Sequence, residues 1–237
     1  MRISAIVPVL NEESFIDSFL QWHLTLSGID EWILVDGGSN DRTLERIHAF
    51  QSQYSQLRLI AGEHLRGRAR QMNAGAASAV GEVLLFLHVD CKLGQFAPDV
   101  LKNTLRDEKI IGGGFYKKYE YETALLKLYR SLMNLVRTKW LRNLVGTNAI
   151  FIRRSVFETL GGYPEVSILE DMILCDRMKS AGKLAMLKPY LIVSSRRYIK
   201  DGIVRRMIMA VRILILFRIM RVEPNRLKMY YLKTVKE

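Results

Sequence analysis

Two polar residues, His88 and Asp90, follow a short apolar segment near the middle of the 237-residue chain. The apolar run from Val83 to Leu87 is too short to span a membrane and is typical of a buried strand. An ionisable pair at the end of a buried strand costs desolvation free energy unless a cation or hydrogen-bond donors compensate it. In open α/β sheets, ligands bind beyond the carboxyl ends of the strands. We therefore take Asp90 as the centre of a candidate site and His88 as a second potential metal ligand.

Four segments in the first half of the chain have the composition of strands, and helical patterns fill the gaps between them. They begin roughly 25 residues apart, which leaves room for a crossover helix each time, as in βαβ units. The segments are Arg2 to Val9, Trp32 to Asp36, Leu57 to Ala61 and Val83 to His88. This pattern predicts an α/β fold with a mixed, mostly parallel sheet flanked by helices.

Each of the predicted strands is followed by a polar turn. In a doubly wound sheet these turns lie on one edge. Any single turn is explained by helix capping and turn chemistry, but four on one edge also suit a binding site. Their candidate site residues are Pro8, Asn11, Glu12, Asp36, Gly38, Arg68, Arg70, Asn73 and Asp90.

The residue types in these turns suit a nucleoside diphosphate. Asp36 can accept hydrogen bonds from a base or ribose, and Gly38 allows close approach of the backbone. Arg68 and Arg70, near a predicted helix N-terminus, can neutralise phosphate. Asp90 can hold a divalent cation that bridges two phosphates.

The second half of the chain adds two candidate groups. Glu170 and Asp171 begin a predicted helix, where acidic residues are common because of the helix dipole. A carboxylate near a bound donor is also what a general base requires. Arg196 and Arg197 follow a predicted strand from Tyr190 to Val193. They can clamp a leaving diphosphate or can be ordinary surface charge.

The chain is strongly basic, with 36 Lys and Arg against 24 Asp and Glu, a net charge of +12. This charge indicates an anionic partner such as nucleic acid, a membrane surface or a phosphorylated substrate. No helix-turn-helix or RNA-recognition signature accompanies it, and P-loop and dinucleotide-binding motifs are absent, so we expect no nucleic-acid partner. Two cysteines provide no disulfide framework, which predicts a cytoplasmic setting.

Two segments of the second half are predicted to be basic helices. The pattern predicts a long helix from Thr123 to Val145, whose basic residues form either a solvated face or one that meets anionic lipid or a phosphorylated acceptor. The tail from Ile203 to Val222 is apolar but interrupted by arginines, so it is not expected to span a membrane. It is predicted to dock on the domain or to lie peripherally at the inner face of the membrane.

Taken in order, six motifs resemble those of the family-2 glycosyltransferases, which have the GT-A fold. The motifs are VPVLNEE, LVDGGSNDRT, GRARQMNAGA, FLHVDC, GGYPEV and ILEDMILCDRMKSAG. The likeness covers roughly Ile3 to Tyr198, and it is best to a small bacterial subgroup with a histidine in the metal motif. We therefore expect a GT-A domain over residues 1–200 and a basic helical tail over 201–237.

The resemblance implies an inverting transfer of a sugar from a nucleoside-diphosphate donor to a hydroxyl acceptor, such as a lipid-linked or cell-envelope molecule. Asp36 matches the acid that binds the base, and Arg70 matches the donor-site arginine. Asp90 matches the ligand of Mn²⁺ or Mg²⁺, and Asp171 matches the catalytic base. Arg197, with the aromatic residue after it, resembles a late arginine element of some members.

The chain departs from the family pattern at two places. His88 and Cys91 stand where many members carry carboxylates, and Thr147 and Asn148 stand where we expected an Asp-Gln pair.

Two other functions are compatible with a fold of this kind, that of a nucleotidylyltransferase and that of a non-catalytic binding protein. A nucleotidylyltransferase lacks support because no glycine-rich loop follows the first strand. A non-catalytic protein that binds nucleotide sugar or lipid on the same fold stays open.

Overall fold

The structure, a computed structural model, describes residues 1–135 and 148–229. In this part of the chain the strands are β1 (Ile3–Val9), β2 (Glu31–Asp36), β3 (Leu57–Ala61), β4 (Val83–Phe86), β5 (Cys91–Lys92), β6 (Ile110–Tyr119), β7 (Phe151–Arg153) and β8 (Lys183–Val193). The helices are α1 (Ile16–His23), α2 (Thr43–Gln51), α3 (Arg68–Ser78), α4 (Ala97–Thr104), α5 (Ala124–Leu135), α6 (Arg154–Thr159), α7 (Glu170–Ala181), α8 (Arg196–Asp201) and α9 (Ile203–Arg218), with a 3₁₀ turn at Glu63–Leu65.

The strands form one mixed sheet in the order β3-β2-β1-β4-β7-β6-β8-β5. β1 is parallel to β2 and β4, β2 is parallel to β3, and β6 is parallel to β8. β7 is antiparallel to β4 and β6, and β5 is antiparallel to β8. The predicted mostly parallel sheet is confirmed, and the carboxyl ends of β1 to β4 meet at one edge.

Helices cover both faces of the sheet because successive strand residues point to opposite sides. In β1, Ala5 and Val7 belong to one apolar cluster, which also contains residues of α1, α2, α4 and α5. Ile6 belongs to a second cluster, with residues of α3, α6 and α7. Buried strands of this kind read as continuous apolar runs, which is why the first four were recognisable in the sequence.

Several predicted boundaries were wrong in the region where pairing decides the length of a strand. The fourth strand ends at Phe86 rather than His88, because a turn in which the Cys91 amide donates to the His88 carbonyl (3.0 Å) follows it. The sequence pattern also predicts a strand from Ile110 to Tyr116 and a short strand from Gly146 to Phe151. β6 and β8 pair from Ile110 to Tyr119, so both strands are longer than predicted. The short strand is found at Phe151–Arg153, and residues 146 and 147 lie outside the described part. The helix predicted from Thr123 is confirmed over Ala124–Leu135, and its remainder also lies outside.

Gly113 lies in β6 between two neighbouring strands. A Cβ atom at this position would overlap the carbonyl oxygen of Ala185 and lie 2.8 Å from the Phe151 ring. Because backbone atoms cannot move aside cheaply, we expect Gly113→Ala to lower the free energy of unfolding by about 3 kcal/mol or more. Urea unfolding measures this change in the free energy of unfolding. Gly161→Ala is the control, because no atom lies within 4 Å of a Cβ at that position and only the positive φ of +73° costs about 1 to 2 kcal/mol. Equal effects of the two variants would contradict the packing argument.

His23 is buried at the end of α1 with both ring nitrogens engaged. The Leu93 amide donates to Nε2 (3.0 Å), so Nδ1 carries the proton and donates to the Phe19 carbonyl (2.8 Å). Burial lowers the pKa of His23 from 6.5 to about 4, against the Phe19 hydrogen bond and with help from Lys92. The folded chain therefore keeps this imidazole neutral where the unfolded chain binds a proton.

Stability is accordingly expected to fall as the pH falls from 6.5 towards 4. The loss from His23 alone should reach about 2 kcal/mol at pH 5 relative to neutral pH. Urea unfolding at the two pH values measures it. His23→Gln should flatten the dependence even if it lowers stability overall, whereas exposed His48→Gln should leave it intact. An unchanged slope in His23→Gln would show that another group is responsible.

Helix α9 of the C-terminal segment packs on the domain, which is one of the two predicted arrangements. α9 packs against α5 and α8, and its Met209 is buried. Within residues 1–135 and 148–229, no helix is both long enough and apolar enough to cross a bilayer.

Candidate active site

The turns that follow β1 and β2 are joined by hydrogen bonds. The backbone N–H of Asn11 donates to Ser39 Oγ, and the backbone N–H of Asn40 donates to Asn11 Oδ1, both at 2.9 Å. The Glu12 amide donates to Thr43 Oγ1 at 2.8 Å. The structure therefore brings the first two predicted turns together at the edge of the sheet.

Asp36 ends β2 and shapes the second turn. It is buried, and its carboxylate accepts hydrogen bonds from the amides of Gly38 (2.8 Å) and Ser39 (2.9 Å) and from the Ser39 hydroxyl. Gly38 has φ +87°, and a Cβ atom there would lie 2.9 Å from Glu63. Pro8 lies beside this edge, opposite Val35 in the neighbouring strand. The geometry gives Asp36 a structural role in the turn, in addition to any role in binding a ligand.

Gln71 fixes α3 behind the ends of β1 and β2. Its buried amide donates to the carbonyls of Val9 (2.7 Å) and Val35 (2.8 Å). A Cβ atom at Gly75 would lie 2.5 Å from Ile6, so this glycine lets the helix pack directly on β1. Sequence reasoning did not single out Gln71, because the residue type alone does not distinguish a buried anchor from a solvated helix side chain.

Arg68, at the start of α3, faces three carboxylates. Its Nη1 atom donates to Glu170 Oε1 at 3.3 Å. Burial lowers the pKa of Arg68, but the charges of Glu170, Asp171 and Asp90 outweigh burial, and the net effect is a raised pKa. Since such charge effects require proximity, the guanidinium connects the turn after β4 with the start of α7. Three of the predicted site residues, Arg68, Asp90 and Asp171, are thus brought together.

Asp171 and Glu170 form the buried first turn of α7. The helix dipole favours carboxylates at this end. The residue before them, Leu169, has a left-handed backbone with φ +67°, an uncommon conformation for a side chain branched at Cγ. The buried Tyr163 ring lies close by, and burial followed by the charges of Asp171 and Glu170 raises the pKa of its hydroxyl well above the usual range. The pair is therefore held in an enclosed and negatively charged environment.

Arg70 and Asn73 contact the loop before α7. Arg70 Nε donates to Glu165 Oε2 at 2.9 Å, with both side chains exposed. Asn73 exchanges two hydrogen bonds of 2.9 Å with the backbone of Tyr163. Asn73 thus holds the GGYPEV loop against α3, and Glu165, which the sequence reading quoted only within that motif, is the partner of Arg70.

Asp90 and His88 are half-buried in the turn between β4 and β5. The Ser194 amide donates to the Asp90 carbonyl at 2.9 Å, which ties this turn to the end of β8. Burial and the charge of Asp90 raise the pKa of the Cys91 thiol well above its usual range, and the thiol points to Asp90 Oδ1 (3.5 Å).

Over the same two described ranges, no group of three or more His, Cys, Asp and Glu side chains is placed to hold a metal ion. The donors that remain are the Asp90 carboxylate and the His88 imidazole. This set fits a divalent cation that completes its coordination with substrate phosphates and water, as Mg²⁺ does.

Arg196 returns to the first turn from the start of α8. Its Nη2 atom lies 3.6 Å from Glu12 Oε2, and its guanidinium carbon lies 3.8 Å from the Phe15 ring centroid. The side chain of Arg197 lies outside what the structure describes. Arg196 therefore stands at the same edge as Asn11, Glu12 and Asp36.

A family model described as glycosyl transferase family 2 matches residues 4–161. The chain is 27% identical over 169 residues to "Glycosyltransferase AglE" of Haloferax volcanii, covering 68% of this chain and 56% of that protein. It is 27% identical to "Probable glycosyltransferase YdaM" of Bacillus subtilis, covering 76% of this chain and 47% of that protein. It is 30% identical to a "PGL/p-HBAD biosynthesis glycosyltransferase" of Mycobacterium tuberculosis, covering 68% and 62%. The chain thus spans about half the length of the first two relatives.

Solved structures share the fold. S. aureus TarS 1–349 superimposes with a TM-score of 0.69 at 20% identity, covering 90% of this chain and 66% of that one. The mannosyltransferase PcManGT of Pyrobaculum calidifontis, in complex with GDP-Man and Mn²⁺, superimposes with a TM-score of 0.63 at 21% identity, covering 81% and 56%. The GT-A fold predicted from the sequence is confirmed by these likenesses.

Proposed function

The chain belongs to glycosyl transferase family 2, and from this we propose that it moves a sugar from a nucleoside-diphosphate donor to a hydroxyl acceptor with inversion. The observation that carries the proposal is the placement of three residues at the carboxyl edge of the sheet: Asp90 follows β4, and Arg68, at the start of α3, pairs with Glu170 beside Asp171 at the start of α7. A transfer of this kind needs a base for the acceptor and positive charge for the leaving group, and both types of group are present.

In the proposed reaction Asp171 accepts the proton of the acceptor hydroxyl. The acceptor oxygen forms a bond to the anomeric carbon, and the bond from that carbon to the diphosphate oxygen breaks. The departing electron pair stays on the diphosphate, where Arg68 and Arg196 are the nearby cations. Asn11, Glu12, Asp36 and Gly38 form the turns that would receive the nucleoside.

Asp90, with His88, would hold the divalent cation that we propose for this site. When bound, such a cation neutralises the charge of the diphosphate. An imidazole ligand suits Mn²⁺ as a first-row transition metal better than it suits Mg²⁺, which prefers oxygen. Because residues 1–135 and 148–229 place no group of three or more such donors together, we expect weak binding of the cation alone and tight binding together with the donor. Membership of the subgroup with a histidine in the metal motif stays a prediction.

Complexes of the structural neighbours support the class of donor. Structures of TarS contain UDP or UDP-GlcNAc, and the PcManGT structure contains GDP-Man. A lipid-linked or cell-envelope acceptor, an anionic membrane surface as partner, and the cytoplasmic setting are further parts of the proposal.

Calorimetric titration with UDP-, GDP- and TDP-sugars, with and without Mn²⁺, tests the donor site. We expect one donor to bind tightly and in a metal-dependent manner. A folded protein that binds none of them would contradict the proposal. Release of nucleoside diphosphate in the presence of hydroxyl acceptors then separates an enzyme from the alternative, a non-catalytic binding protein, which would bind the donor without turnover.

A further inference from the structure

α5 carries an apolar stripe on its outer side. Four leucines on this helix, Leu125, Leu128, Leu132 and Leu135, are 42% to 67% exposed. Their spacing of three and four residues places them on one face, while Leu126 and Tyr129 of the same helix are buried in the core. Packing of α5 against the core therefore does not account for the exposed leucines.

α9 repeats the arrangement. Val204, Ile208, Val211 and Ile215 recur at the same helical spacing and are 43% to 55% exposed, while Met209 is buried. Because α9 packs against α5, the two stripes lie on neighbouring helices, and we refer to these eight residues as the α5–α9 face. A surface apolar patch built on two regular stripes marks an interaction site more often than chance exposure does.

The charged side chains that belong to these two helices all have one sign. Neither α5 nor α9 contains Asp or Glu. Arg206 and Arg218 are engaged by Asp201 and Asp176, whereas Lys127 and Arg212 are exposed beside the stripes. At about 100° per residue, Arg212 lies next to Ile215 and Ile208 on the α9 surface.

We propose that the α5–α9 face docks on an anionic lipid bilayer, with both helices lying in the plane of the interface. An apolar stripe bordered by Lys and Arg is the composition of helices that bind membranes in this manner. Anionic headgroups complement the exposed cations and the net charge of +12. A second copy fits poorly, because a two-fold contact would bring two basic faces together.

The docking face is joined to the candidate site by α8. The Ser194 amide binds the Asp90 carbonyl, and Arg196 approaches Glu12. The Tyr198 hydroxyl lies 3.1 Å from that of Tyr119, and its ring packs beside Tyr129 of α5. If the proposed function holds, docking would bring the open edge of the sheet near acceptors that reside in the bilayer. The docking rests on the membrane partner named in the proposed function, but it does not depend on sugar transfer.

Flotation of the full chain with vesicles tests the proposal, in the absence of any donor. We expect binding to phosphatidylcholine vesicles that contain about one third phosphatidylglycerol, and weak binding to phosphatidylcholine alone. Leu128→Glu and Ile208→Glu, one from each helix, should each weaken binding about tenfold. Phe96→Glu is the matched control, since Phe96 is 66% exposed and outside the face, and it should bind like the parent. Arg212→Gln should weaken binding only to the anionic vesicles.

Thermal unfolding of each variant checks that the fold is retained, as expected for exposed positions. The proposal is overturned if the parent chain binds neither vesicle, or if both glutamate variants float as well as Phe96→Glu. It is also overturned if light scattering shows a dimer that Leu128→Glu and Ile208→Glu dissociate, because the face would then meet a second copy. Donor binding is measured separately, so failure of docking and failure of the proposed function are distinguishable.

Discussion

Asp171→Asn is expected to lower turnover about 10³-fold while leaving donor binding nearly unchanged. The amide keeps the shape of the carboxylate but cannot accept the acceptor proton. Asp171 lies in the first turn of α7 close to Arg68, so the substitution removes one of three negative charges near that guanidinium. Single-turnover assays with saturating donor, together with calorimetry of donor binding, measure the two quantities.

Asp176→Asn is the matched control for this prediction. It makes the same chemical change on the same helix, at a carboxylate engaged by Lys179 and Arg218 on the outer side. We expect it to retain turnover and to lose a modest amount of stability. Full turnover in Asp171→Asn, or an equal loss in both variants, would remove Asp171 from the role of base.

The first half of the fold was predictable because its strands are buried on both faces. β1, β2 and β4 read as continuous apolar runs, and their ends are marked by polar turns. β6 and β8 differ because their lengths are set by pairing with each other. Lys117 lies within β6 because its backbone pairs with Leu191, a fact that no local pattern reveals.

The candidate site was predictable at the residues whose chemistry is unusual for their position. A carboxylate after a buried strand made Asp90 a candidate, and the family resemblance made Asp171 one; the roles of both residues stay predictions. The partners of the predicted arginines were not predictable, since Glu170 and Arg68 are far apart in the chain and the ion pair depends on how α3 meets α7.

Asn73 is a second residue whose contact in the fold could not be predicted from the sequence. It is a predicted donor-site residue, and in the fold its side chain holds the Tyr163 backbone; the contact with the donor stays a prediction. An amide side chain has the same appearance in the sequence whether it binds a ligand or the neighbouring loop. Only the position of the loop in three dimensions distinguishes the two, and it makes a positioning role for Asn73 the simpler interpretation.

Asp90→Asn is expected to remove the metal-dependent part of donor affinity and to lower turnover roughly 100-fold or more. In the described part of the chain, Asp90 and His88 are the proposed donors, so the loss of the Asp90 carboxylate should leave the cation weakly bound. Calorimetry with the preferred donor, with and without Mn²⁺, should therefore give similar affinities for the variant and different ones for the parent.

His88→Gln distinguishes the contribution of the imidazole from that of the carboxylate. If His88 is a ligand, this variant should lose more affinity with Mn²⁺ than with Mg²⁺, because nitrogen donors favour the transition metal. Equal losses with both cations would show that the imidazole positions the turn and does not bind the cation. Retention of the full Mn²⁺ dependence in Asp90→Asn would instead show that the cation is held elsewhere.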